Sequence, residues 1–67
     1  MSEVLEEAIQ RLDQLKTAEA KVRLLAGLML DEMEGCGISV LGYRASLEFF
    51  ISTAFRQERA KLPLATE

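Results

Sequence analysis

Gly35-Cys36-Gly37-Ile38-Ser39 interrupts an otherwise helix-forming chain, and its reading decides the fold. Gly35 stands where a helix C-cap is expected, because glycine takes the left-handed conformation without a steric penalty. Ser39 is placed to N-cap a second helix. The only proline, Pro63, closes that second helical stretch, since proline cannot continue a helix interior. The expected architecture is all-α: a long helix over about 3–34, a loop over 35–39 and a helix over about 40–61. Helices joined by so short a loop fold back antiparallel, giving a helical hairpin.

Outward from the loop, the first stretch carries apolar residues at steps of three and four. Leu5, Ala8, Ile9, Leu12, Leu15, Val22, Ala26, Met29, Leu30 and Met33 share one broad arc at 3.6 residues per turn. Ser2 is a candidate N-cap, and Glu3, Glu6 and Glu7 suit the positive end of the helix dipole. Thr17 is a second candidate N-cap. A break there would let residues 2–15 fold back into a three-helix bundle; one continuous helix is the preferred reading. In the second stretch Val40, Tyr43, Leu47, Phe50, Ile51, Ala54 and Phe55 form a stripe, with Phe49 pointing roughly opposite. Arg56, Arg59 and Lys61 fall near its end, where cations complement the dipole. Residues 62–67 read as a frayed tail.

The chain has 67 residues, one domain spanning 1–67, and a domain of this size is marginal without a staple, a metal or a partner. With one cysteine and no histidine, neither a disulfide nor a typical metal site is at hand. The net charge of −3, from 8 basic and 11 acidic residues, lacks the basic footprint of a nucleic-acid binder. An apolar fraction of 49% is that of a folded domain. The acidic start, Met1-Ser2-Glu3-Val4-Leu5-Glu6-Glu7, is unlike a secretory signal. The run from Leu24 to Leu30 is far shorter than the roughly 20 residues of a membrane span. With a free thiol, these features lead to the expectation of a cytoplasmic protein.

Catalysis has no foothold. There is no histidine for general acid–base work, and Cys36 has no base to activate it. Gly35-x-Gly37 followed by Gly42 is preceded by a helix, whereas a dinucleotide fingerprint needs a strand. Asp31, Glu32 and Glu34 are spread around a helix and read as a solvated face or a contact for a basic partner. The expectation is a non-enzymatic chain with no cofactor and no metal.

What the pattern does carry is surplus apolar surface. Leu24, Leu25 and Leu28 lie away from the main stripe, so the helix is apolar nearly all round from Val22 to Leu30, broken mainly by Arg23. Leu5, Ile9 and Leu12 would overhang a shorter second helix. Phe49, beside Arg56, has the composition of an interface hot spot. Together with Phe55, these residues are the expected partner-binding set, the partner being a hetero-partner or a second copy of the chain.

The layout resembles one family. Met33-Glu34-Gly35-Cys36-Gly37 through Gly42-Tyr43-Arg44-Ala45-Ser46-Leu47-Glu48 is similar to the small E-type co-chaperones of type III secretion needles, in which a helix and a glycine-containing loop precede a Tyr-led amphipathic helix. The likeness covers roughly residues 20–58. It implies a cytosolic hairpin that pairs with a helical-repeat chaperone and keeps an aggregation-prone needle subunit monomeric. This chain departs from that pattern in Phe49-Phe50 and in the apolar run from Leu24 to Leu30. Small phage or plasmid antiactivators, which occlude a transcription regulator, are similar hairpins. Dimeric hairpin RNA-binding regulators are a further alternative. The basic residues for that role are Arg44, Arg56, Arg59 and Lys61.

Overall fold

The computed structural model describes residues 3–63. They form two helices, α1 over Glu3–Gly35 and α2 over Leu41–Ala60, with no strand among the described residues. The hairpin is 55 Å long and only 18 by 10 Å across. The first helix runs unbroken through Thr17, so the chain is a hairpin and not a three-helix bundle. Thr17 is exposed, and one threonine lowers helix propensity by only a few tenths of a kcal/mol, roughly. The Ser2 cap and residues 64–67 of the expected tail lie outside the described residues. Leu62, just before them, is half-buried, and its N–H donates to the Arg59 carbonyl at 3.1 Å.

The helices end at the expected places by different devices. Gly35 is the last residue of α1 and helical; the left-handed residue is Gly37, with φ of +84°. The N–H of Gly37 donates to the carbonyl of Glu34 at 2.9 Å, and that of Ile38 to Met33 at 3.1 Å. This pair of bonds is the Schellman closure, with Gly37 at the left-handed position and Ile38 as the apolar residue after it. Ser39 does not cap α2. The N-cap is Val40, with no side-chain hydrogen bond to the free N–H groups, and its side chain is fully buried. Burying that valine at the turn outweighs a hydroxyl cap, a contribution of about 1 kcal/mol.

The core is a narrow seam. Leu15 and Leu30 of α1 and Ile51 of α2 are buried along it, Val40 seals the loop end, and Ala8 is buried nearer the start of α1. Leu12, Ala26 and Met33 flank the seam on α1, and Leu47, Ala54 and Phe55 on α2, each half-buried. Several residues expected in the stripes stay outside it. Tyr43 is 64% and Phe50 66% exposed, and Val22 and Met29 are also exposed. One helix facing one other covers only a strip, too narrow for the broad apolar arcs that the sequence carries.

Candidate protein-binding surface

Leu30 and Leu47 divide the hairpin into two flanks. Arg23, Gly27, Leu41, Arg44 and Glu48 line a groove on one side of this pair; Met29, Met33, Tyr43, Ser46 and Phe50 line a groove on the other. The flanks differ in kind, because the ion pairs near this part of the hairpin gather on the first.

On the polar flank, Arg23 ties the helices together. Its Nη1 donates to Glu48 Oε1 at 2.8 Å, and its Nη2 to Glu19 Oε2 at 2.9 Å and to Ser52 Oγ at 2.8 Å. Arg59 Nη1 donates to the other Glu19 oxygen at 2.7 Å. Hydrogen bonds from Arg23 and then Arg59 hold the Glu19 carboxyl below the usual glutamate range, and the Glu19 bond raises the Arg23 guanidinium. Nearer the loop, Arg44 Nη2 lies 3.5 Å from Asp31 and 3.6 Å from Glu34. It supplies the cation that the acidic end of α1 lacks.

The apolar flank has no such closure. Between α1 and α2 lies an open groove of about 370 Å³, walled by Met29, Met33, Tyr43 and Phe50, with the hydroxyls of Ser46 and Tyr43 the only polar side-chain groups in its lining. Charge returns only beyond its far end. Arg11, about five turns before Met29 on the same side of α1, pairs with Glu58 at 3.5 Å, and Lys61 pairs with Glu58 at 2.7 Å. The Lys61 bond is the main reason that the Glu58 carboxyl sits below its ordinary value.

The expected partner-binding residues fall into four places. Leu24, Leu25 and Leu28 are exposed on the outer side of α1, and Phe49 is exposed to 71% on the outer side of α2. Leu5 and Ile9 are exposed near the start of α1. Leu12 and Phe55 are half-buried in the seam, because Glu58 of α2 reaches the level of Arg11 and covers the overhang that far. The structure does not bring these residues together into one patch. Periodicity alone assigns the groove residues Met29, Met33, Tyr43 and Phe50 to the core. Methionines facing aromatics are adaptable contact chemistry, and this composition is the sequence signal for a surface.

Among the described residues, no cluster of His, Cys, Asp or Glu could hold a metal, and no helix is long and apolar enough to cross a membrane. Cys36 is a free, exposed loop thiol. The fold and its surface define an amphipathic helical hairpin with a groove on each flank, one of about 390 Å³ bordered by ion pairs and the other of about 370 Å³ without a charged residue in its lining. No known family, curated protein or solved structure matches the chain.

Proposed function

We propose that this hairpin is a non-enzymatic protein-binding module, a small cytosolic co-chaperone that shields an apolar helix of another protein. The observation that carries the reading is the groove between Met29, Met33, Tyr43 and Phe50, where apolar side chains line an open cleft between two helices. Such a cleft fits the apolar face of a third helix, the helix-in-groove mode of recognition. The resemblance of residues 33–48 to the E-type needle co-chaperones points in the same direction. RNA binding is the weaker reading, since Arg44, Arg59 and Lys61, three of its four candidate cations, are held in intrachain ion pairs.

The test is affinity capture of the tagged chain from its native cell, run beside the Phe50→Asp variant. A stoichiometric helical partner, retained by the wild type, lost by the variant and aggregating when expressed without this chain, is the expected result. A transcription regulator in its place would make the chain an antiactivator. Recovery of the chain alone would sink the shielding role, and salt-dependent RNA retention would replace it.

A further inference from the structure

The outer side of α1 carries a second pattern, apolar about its centre and oppositely charged at its two mirrored ends. It is Lys21-x-x-Leu24-Leu25-x-x-Leu28-Met29-x-x-Glu32. Reversed about the point between Ala26 and Gly27, Leu25 exchanges with Leu28, Leu24 with Met29, and Lys21 with Glu32. All six side chains are exposed. At 3.6 residues per turn, Lys21, Leu25, Leu28 and Glu32 fall on one stripe, at steps of four, three and four, with Leu24 and Met29 at its edges. Neither Lys21 nor Glu32 takes part in an intrachain ion pair among the described residues, a property Lys21 shares with Lys16 and Arg56, so both charges are available to a second chain.

We infer that a second copy of this chain covers this stripe, with the two α1 helices antiparallel about a twofold axis near Ala26 and Gly27. In that arrangement Lys21 of each copy faces Glu32 of the other, and Leu25 faces Leu28. The same patch serves both copies, as a twofold interface requires. A parallel pairing would set lysine against lysine and glutamate against glutamate, so the charges select the antiparallel one. Opposite charges at mirrored positions around an apolar centre are what a self-complementary face requires.

The exposed area agrees. A folded monomer of this mass shows about 4250 Å² of accessible surface, and this chain shows 5198 Å². The surplus, roughly 950 Å², is that of an elongated hairpin with uncovered faces, and it exceeds the ~800 Å² that one partner contributes to a standard interface, so a second copy can be accommodated. The pairing uses the outer side of α1 and meets the groove only at Met29, so the purified chain tests it without reference to the proposed function.

Sedimentation equilibrium of the full-length purified chain and of three variants provides that test. The wild type is expected to be a dimer. Lys21→Glu and Glu32→Lys each replace two attractive contacts by two repulsive ones, and each should raise the dissociation constant about tenfold or more. The double reversal, Lys21→Glu with Glu32→Lys, restores opposite charges at both contacts and should return the constant to within about threefold of wild type. That recovery excludes misfolding as the cause of the single-variant losses. A single-chain mass at about 100 μM, far above the micromolar range of a working dimer, would overturn the inference. An unchanged constant in either single variant, or a double variant as weak as the singles, would do so as well.

Discussion

Arg59 Nη1 lies 2.7 Å from Glu19 Oε1, a contact between the last turn of α2 and the middle of α1. Glu19 also receives Arg23, so one carboxylate is held by two guanidinium groups from two helices. The apolar seam supplies attraction between the helices, but leucines and alanines slide past one another with little penalty. This ion-pair cluster adds a directional tie between the helices on the polar flank.

Stability should therefore decline in acid earlier than a purely apolar hairpin would. Glu19 is lowered by hydrogen bonds from Arg23 and Arg59, and Glu58 chiefly by its bond from Lys61. A carboxyl with a lowered pKa in the folded state stabilises the fold above its unfolded value, near 4.3 for glutamate. That contribution fades as the pH falls through the lowered folded value. The Glu19→Gln variant should show a flatter acid limb when the melting temperature is followed by circular dichroism below about pH 5. Superimposable limbs for variant and wild type would show that Glu19 is solvated and does not tie the helices together.

The loop separates its two glycines. Gly37 is left-handed at φ +84°, while Gly35 is helical, with open space where a Cβ would sit. Gly37→Ala is expected to destabilise by about 1–2 kcal/mol, the strain of a left-handed alanine. Gly35→Ala is expected to be neutral or to stabilise by up to about 1 kcal/mol, because alanine is the better helix former. Urea unfolding of the two variants, at equal chain concentration, decides the matter. Equal losses would mean that the turn tolerates either residue.

Much of this architecture is legible in the sequence, and the shortfalls have identifiable causes. Helical periodicity and the glycine pair place both helices to within a residue or two. The choice between Gly35 and Gly37 turns on the residue after each. A Schellman closure favours an apolar residue after the left-handed glycine, and Ile38 after Gly37 supplies it. Ser39 has the chemistry of a cap, but the buried neighbour is Val40, and burial is a tertiary property. Tyr43 and Phe50 are misplaced by periodicity because a wheel shows which residues share an arc and not how wide an arc one partner helix can cover. The two unlike flanks are beyond the sequence, since separating them needs the pairing that brings Arg23 to Glu48 and Met29 to Phe50.

Neighbours in sequence on α2 should separate stability from binding. Ile51 is 4% exposed, and Phe50 is mostly exposed in the groove. Ile51→Ala removes packed atoms from a thin core and should cost about 2–4 kcal/mol, enough to unfold much of a chain this small. Phe50→Ala should change stability by less than about 1 kcal/mol while weakening partner capture. Chemical unfolding gives the first quantity and the capture assay the second. An equal stability loss at both positions would mean that Phe50 belongs to the core of the isolated hairpin.

The outer faces of the helices can be ranked in the same way. Leu28 sits in the middle of the mirrored stripe on α1, flanked by Leu24 and Leu25, whereas Phe49 stands on α2, between Ala45, Ser52 and Arg56. Ser52 already accepts a hydrogen bond from Arg23, so the surroundings of Phe49 are partly engaged within the chain. Leu28→Glu places an unpaired carboxylate against leucines of a second copy, a loss of several kcal/mol when the charge is desolvated. Phe49→Ala removes one exposed ring, an effect of about 1–2 kcal/mol at most. Light scattering of the two purified variants should find Leu28→Glu monomeric and Phe49→Ala still associated. The opposite ranking would move the interface to α2 and leave the mirrored charges of Lys21 and Glu32 without a role.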